Sequence, residues 1–390
     1  MDKKNYLQSK LSQNDPHESI WKKPLQFNLD NLEDRKELED RFKHNEINTV
    51  YDPIEEIAND LFEIKNPSWR NDSESRDKFV NNIIHQENYG NWFLFPWSKE
   101  LVRYPNKDDY RLLRTARNKN LITEDEQEKL NNSTIAIFGL SIGSNVVKSL
   151  VTSGIGKKLV LADQDIITPS NLNRINTKFS DVGTKKIHSL AKNISQIDPY
   201  IEQVHLEEGV NDSNIENLCL TNKPDIIIEE IDDLRMKTII RIFAKKYRIA
   251  LIMATDVGDK TLLDVERYDE KDEELFNGRL NKTEIALLQD VNLNHRQKKK
   301  IMLKMIGLKN LTPRLINSVA NKNLVGFPQL GTTAFTGGAI ATIGAREIIL
   351  GRNLPSKRYS FSPKRKMQLS SPDNLFINLK MIFNAINLKQ

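Results

Sequence analysis

At 390 residues the chain can bury a large core, and a composition of 38% hydrophobic and 28% charged residues is that of an ordinary globular protein. The 58 lysines and arginines barely exceed the 53 aspartates and glutamates, and the main basic run, residues 296–300, leads into Ile301, Met302 and Leu303 as the solvated side of a helix would, so nucleic-acid binding is not expected. A lone cysteine, Cys219, excludes an internal disulfide and a cysteine-rich zinc site; no stretch reaches the roughly 18 apolar residues of a membrane span, and the N-terminus lacks the apolar core of a secretory signal, so a cytoplasmic location is expected.

Residues 1 to about 20 are polar and expected to fray. Val50, Tyr51, Asp52 and Pro53 lead into Ile54, Ile57, Ala58, Leu61 and Phe62, a spacing that predicts an amphipathic helix with Pro53 in its first turn and Asp52 as its cap. Residues 91–97, NWFLFPW, concentrate aromatic side chains that call for burial, within the chain or against a neighbouring subunit. Helices are predicted over 107–117 and 123–130, the second opened by a capping box of Thr123 and Glu126.

Residues 134–138 form a short, β-branched apolar run that enters a Gly/Ser turn carrying Gly139, Ser141, Gly143 and Ser144. Val146, Val147, Leu150 and Val151 then share one side of a helix, and a second strand over 158–162 ends at Asp163, 24 positions after Gly139. In a nucleotide fold such an acid can receive ribose hydroxyls while the first helix N-terminus receives phosphate. Further helices over 182–194 and 234–244 alternate with strands at 201–206, 225–229 and 249–254. This pattern specifies an α/β fold, a Rossmann-like and mostly parallel sheet covered by helices, with a mainly helical N-terminal extension and C-terminal helical additions. The boundaries drawn are 1–105 for the extension, 106–270 for the nucleotide-binding core and 271–390 for an insertion and crossover that complete the domain.

Beyond the core, residues 264–267 read as extended, and helices are predicted over 282–305 and 313–320. The run 332–350 is rich in small residues and interrupted by Arg346 and Glu347, which favours a buried helix or subunit contact over a membrane span. The tail after Ser356 is basic and ends in apolar residues over 375–383 that are expected to dock back.

The glycine turn is a weak signal by itself, because the slots of a G-x-G-x-x-G fingerprint hold Gly139, Ser141 and Ser144. The stretch after the second strand is more specific: Asp163 and Asp165 two apart at the strand end, then Ser170, Asn171 and Arg174, then Lys186 at the start of a helix. Carboxylate, amide, guanidinium and ammonium together suit ribose and a triphosphate chain. Downstream, Glu229, Glu230, Asp232 and Asp233 stand at the carboxyl end of another strand, where acids near phosphate often hold magnesium. The six histidines show no metal-ligand spacing.

The run LAD-x-D (161–165), SNL-x-R (170–174), G-x-x-K (183–186) and the strand-end pair Asp232–Asp233 resembles the adenylating enzymes of the ThiF/MoeB and ubiquitin-activating superfamily, with good coverage from about 111 to 254. The resemblance implies ATP and Mg2+ as cofactors, and activation of the C-terminal carboxylate of a small β-grasp protein or peptide as an acyl-adenylate with release of pyrophosphate. By residue it implies nucleotide contacts from Gly139, Ser141, Gly143, Asp163, Asp165, Asn171, Arg174 and Lys186, with Asp232 on the metal at the reaction centre. It also implies a homodimer and an arginine, Arg111, Arg114 or Arg117 with Arg114 preferred, reaching the γ-phosphate. The chain departs from the family in its glycine-poor loop, in Ile175 after the loop arginine, and in Glu229 and Asp233 at positions usually aspartate and asparagine. The paired CxxC zinc motifs and the catalytic cysteine of many relatives have no counterpart, so a thioester step on this chain is not expected. Two other classes share the same residues: an NAD(P)-dependent oxidoreductase, which leaves Asn171, Arg174 and the later acids unexplained, and a nucleotide-binding scaffold that has lost turnover.

Overall fold

The computed structural model describes residues 20–86, 88–290, 293–311, 314–315 and 328–368. Its described residues divide into two units, one comprising those up to 128 with 152–154 and 188–201, the other the remainder.

The first unit holds a four-stranded sheet of order β1-β3-β4-β2, with β1 Leu25–Phe27, β2 Thr49–Tyr51, β3 Asn91–Phe95 and β4 Glu100–Tyr104. Around it run α1 Leu32–Lys43, α2 Ile54–Lys65, α3 Ser73–Ile84 and α4 Lys107–Thr115; α5, Glu124–Asn131, begins in this unit. The mainly helical extension therefore carries a sheet, and its shortest strands are three residues long, too short to show a period of two. Val50 and Tyr51 belong to β2, and the expected cap at Asp52 is not made: Pro53 occupies the N-cap without a side-chain bond, while Asp52 pairs with Arg103 at 3.3 Å. The aromatic run became β3, with Phe93, Leu94 and Phe95 buried inside this chain. The capping box of Thr123 and Glu126 is present, at 3.3 and 3.0 Å.

The second unit is a seven-stranded sheet of order β11-β10-β9-β8-β5-β6-β7. Its parallel part comprises β5 Thr134–Phe138, β6 Lys158–Ala162, β7 Glu202–Leu206, β8 Ile226–Glu229 and β9 Ala250–Val257; β10 Lys260–Glu266 and β11 Lys357–Phe361 extend it antiparallel, with β11 at the edge. Strands β5, β6, β8 and β9 are nearly continuous apolar runs because helices cover both faces, and all four residues of β8 are buried. The helices are α6 Ile142–Thr152, α7 Lys186–Ile197, α8 Ile215–Asn222, α9 Leu234–Lys246, α10 Lys282–Gln289, α11 His295–Ile306 and α12 Gly331–Ile349, with α6 and α7 crossing the division between units. One core cluster joins Ala136, Phe138, Val160, Ile227, Ile240 and Leu251, and it also takes Cys219, whose thiol burial pushes up to about 11.

Three boundaries moved. The helix expected from 182 starts at Lys186, because Gly183 takes φ +92° and keeps its neighbours in a turn. Strand β9 runs through Val257, since β10 pairs with it as far as Lys260–Val257. The basic tail contains β11, whose Arg358 answers the buried Asp264 of β10 at 2.8 Å. The helix expected over 313–320 falls mostly outside the described residues, as do residues 1–19 and the apolar tail at 375–383. Among the described residues no helix is long and apolar enough to cross a membrane.

Candidate functional site

Strand order reverses between β5 and β8: the chain proceeds from β5 outward to β7, then returns to β8 on the other side of β5. In open α/β sheets this reversal opens a crevice beyond the carboxyl ends of the strands. Gly139, Asp163, Glu230 and Asp232 all follow the carboxyl ends of β5, β6 and β8.

Gly139 adopts φ +85°, and a Cβ there would stand 2.6 Å from the backbone of Glu230, so the turn admits only glycine. The next amide, Leu140, donates to Asp163 Oδ2 at 2.6 Å, and the Asp165 amide donates to Asp163 Oδ1 at 2.8 Å. Burial raises the Asp163 carboxyl, opposed by Lys186 and by these two amides. Gly143 serves packing: a Cβ would lie 3.1 Å from Ile137 Cγ2 of β5, so the glycine lets α6 approach the sheet. Ser141 accepts from Arg174 Nε at 3.0 Å, and its carbonyl accepts from Ser144 Oγ at 2.8 Å.

The loop after Asp165 is shaped by a second box. Asn171 is buried, and its Oδ1 accepts from the Thr168 amide at 3.1 Å, closing a short 3-10 turn over Pro169–Asn173. That turn carries Arg174, whose guanidinium also donates to Asn173 Oδ1 at 2.9 Å and to the Ser170 carbonyl at 3.2 Å. Lys186 is buried and donates to Asp165 Oδ2 at 2.7 Å, with Asp163 Oδ2 3.8 Å away. Its neighbour Lys185 turns instead to Glu207 at 2.9 Å, which separates two lysines that sequence leaves equivalent.

Of the four acids at the carboxyl end of β8, three are occupied by the fold. Glu229 is fully buried between Lys237 at 2.8 Å and Arg241 at 2.7 Å. Glu230 accepts from the Ala254 amide at 2.7 Å, and burial holds its carboxyl well above the ordinary range. Asp233 is the N-cap of α9, accepting from the Met236 amide at 2.7 Å. Asp232 is exposed, and among the described residues none bonds its carboxylate. Of the four, it is the carboxylate the described residues leave unbonded, and one carboxylate together with phosphate oxygens is a donor set that suits magnesium. No group of three potential ligands among the described residues forms a protein-only metal cage.

Thus Gly139, Ser141, Gly143, Asp163, Asp165, Asn171, Arg174 and Lys186 follow the ends of β5 and β6, where Asp163, Asp165 and Lys186 form one bonded group and Ser141 and Arg174 another, with Asp232 beyond the adjoining end of β8. Arg114 lies in the other unit, where it pairs with Asp198 and lies over the Tyr110 ring at 5.5 Å. Two polar residues beside Arg174 escaped the sequence reading. Asn145 of α6 donates to the Arg174 carbonyl at 2.9 Å, and Asp256 of β9 is buried, with the charge of Arg174 opposing the effect of burial on its carboxyl. Asn145 carried no distinct signal, because Ser144, Lys148 and Ser149 make polar residues ordinary on this helix; Asp256 was hidden by ending the strand at Ala254.

The model of the ThiF family matches residues 114–349. An uncharacterized protein of Mycobacterium tuberculosis is 32% identical over 270 residues, 68% of this chain and 37% of that one. The tRNA threonylcarbamoyladenosine dehydratase 2 of Saccharomyces cerevisiae is 33% identical over 163 residues, 41% of this chain and 36% of that one. The tRNA threonylcarbamoyladenosine dehydratase of Haemophilus influenzae is 25% identical over 185 residues, 47% of this chain and 70% of that one. The chain thus spans little more than a third of the first two relatives' length.

Proposed function

This chain belongs to the ThiF family, and from that premise we propose that it is an ATP-dependent adenylyltransferase that converts a substrate carboxylate into an acyl-adenylate. The observation that carries the reading is the pairing of two cations, Arg174 and Lys186, around the β5 and β6 turns with an unengaged carboxylate, Asp232, beyond β8. A substrate carboxylate oxygen attacks the α-phosphorus of ATP; the new P–O bond forms as the bond to pyrophosphate breaks, and pyrophosphate leaves with the electron pair. No proton need move, so the demand on the protein is charge stabilisation and alignment. Arg174 and Lys186 supply positive charge, and Asp163 can accept ribose hydroxyls on lone pairs that its two amide donors leave over. Magnesium, held by Asp232, would neutralise charge on the departing phosphates.

The substrate that best suits this reading is a small β-grasp protein or a peptide ending in a free carboxylate. A second class is suggested by the similarity to dehydratases named for threonylcarbamoyladenosine of tRNA, whose threonyl group also carries a carboxylate. With Cys219 buried in the core, the acyl group passes to a nucleophile other than a thiol of this chain. A homodimer belongs to the same reading, with an arginine of residues 111–117 completing the neighbour's site; a monomer with full activity in light scattering would remove that part. Exchange of labelled pyrophosphate into ATP, screened across peptides, β-grasp proteins and modified tRNA, tests the reaction. One substrate class should support exchange that Asp232→Ala abolishes while the thermal transition is kept. Undiminished exchange in the variant would take Asp232 out of the reaction centre.

A further inference from the structure

Most buried acids of the second unit are answered by cations; among the described residues Glu230 instead accepts from the Ala254 amide, and Asp256, beside the candidate site, has neither. Glu229 and Glu266 flank Arg241, and Asp264 is held by Arg279 and Arg358. Asp256 is only 3% exposed, and neither carboxylate oxygen has a hydrogen-bond partner among the described residues. Arg174 acts on it through space without bonding it. A buried polar group without a partner is costly and calls for an explanation.

Helix α12 shows what the acid faces. A Cβ at Gly338 would stand 2.8 Å from Asn145, so this glycine is required for helix α12 to approach α6. Gly337 is different: a Cβ would lie 3.6 Å from Asp256 Oδ1, 3.4 Å from Ile142 Cγ2 and 3.6 Å from Ala254 Cβ, all ordinary contact distances. Glycine here leaves methyl-sized room beside the carboxylate. Asn145 contributes a second acceptor: its Nδ2 donates to the Arg174 carbonyl, and its buried Oδ1 has no partner among the described residues. Two buried acceptors without partners among the described residues, beside the arginine assigned to phosphate, describe a place for a cationic donor.

We propose that Asp256 is the recognition carboxylate and proton acceptor for a primary ammonium group, the nucleophile to which the activated acyl group is transferred. The proposal rests on the adenylating reading and names its second substrate. The Asp256 carboxylate takes one proton from R–NH3+, which frees the nitrogen lone pair. The nitrogen attacks the acyl carbon, a C–N bond forms, and the C–O bond to AMP breaks with its electron pair leaving on AMP. The second N–H proton goes to water, so the products are an amide and AMP. Burial places the Asp256 carboxyl at about 7, a value suited to exchanging a proton near neutrality.

The test is a calorimetric titration of the full chain, saturated with a non-hydrolysable ATP analogue and magnesium at pH 8, with methylammonium chloride. Wild type should bind methylammonium saturably, with tetramethylammonium, which has no donor, failing to compete. Asp256→Asn should weaken binding at least tenfold, and Gly337→Ala, which places a methyl in the same space without a clash, should weaken it similarly; a cooperative thermal transition checks that each variant folds. Equal affinity in wild type and Asp256→Asn, or no methylammonium binding by wild type that holds the ATP analogue, would overturn the proposal. Failure of wild type to bind the analogue itself would instead sink the adenylating reading, and the proposal with it.

Discussion

Glu229 and Asp256 are buried acids on adjacent strands of one sheet, and they are held in opposite states. Burial alone would raise Glu229, but Lys237 and Arg241 outweigh it and keep its carboxyl below the ordinary range. Burial raises Asp256 to about 7, and Arg174 offsets it only in part. Both carboxylates carry the desolvation cost of an interior charge, and the difference is whether a cation was placed to meet it. Arg241 is so enclosed that it also lies over the Phe276 ring at 4.3 Å, while Tyr268 donates to its second partner, Glu266. That network serves the fold. Asp256 has no such network among the described residues, which is the observation the proposed ammonium site rests on.

The largest expected effect comes from breaking the paired side. Arg241→Met leaves Glu229 and Glu266 short of a partner and should cost about 3–5 kcal/mol of stability in urea unfolding; a loss below about 1 kcal/mol would mean that the network carries little of the fold. The unpaired side should respond in the other direction. Asp256→Asn removes a buried charge, and from a rise of the carboxyl from 3.8 to about 7 the gain at pH 8 is roughly 2–4 kcal/mol. Below pH 4 both folded and unfolded chains hold the proton and the gain should vanish. Between about pH 4 and 7 the unfolded chain ionises first, so wild-type stability falls as pH rises because of this group. Glu229 has the opposite sign: its contribution is present above its unfolded value and is lost as pH falls through its depressed folded value. Thermal melts of Asp256→Asn and Arg241→Met against wild type across pH 2–8 separate the two signs, and parallel curves would contradict the comparison.

The smallest effect sharpens the contrast between the neighbours Asp232 and Asp233. Asp233→Ala removes the α9 cap and should cost about 1 kcal/mol, with pyrophosphate exchange retained. Asp232→Ala should change stability by less than about 0.5 kcal/mol while exchange is lost. A reversed pattern would exchange their roles.

How much of this was legible in the sequence depends on the surface each segment buries. Strands β5, β6, β8 and β9 announce themselves as β-branched apolar runs because helices cover both faces, and the interval from Gly139 to Asp163 reflects one strand-helix-strand unit. Asn171, Arg174 and Lys186 could be singled out because such polar types cluster at strand ends for a reason. The N-terminal sheet could not be read, since Thr49–Tyr51 is exposed throughout and too short for a period. Nor could β11, whose Lys357 and Arg358 read as a basic tail until the buried Asp264 on β10 accounts for the arginine. Asp256 was missed because Thr255, Asp256, Val257 and Gly258 look like a turn; only pairing with β10, which sets Asp256 opposite Thr261, keeps them in the strand. Lysines 185 and 186 are indistinguishable as neighbours and part only in three dimensions.

The most direct test of the central claim is equilibrium binding of ATP with magnesium, set against NAD and NADH, to the purified wild-type chain and to Lys186→Ala. The account predicts selective binding of ATP, weakened at least tenfold in the variant through loss of a phosphate-binding cation. Preferential binding of NAD, or ATP affinity indifferent to Lys186, would contradict it.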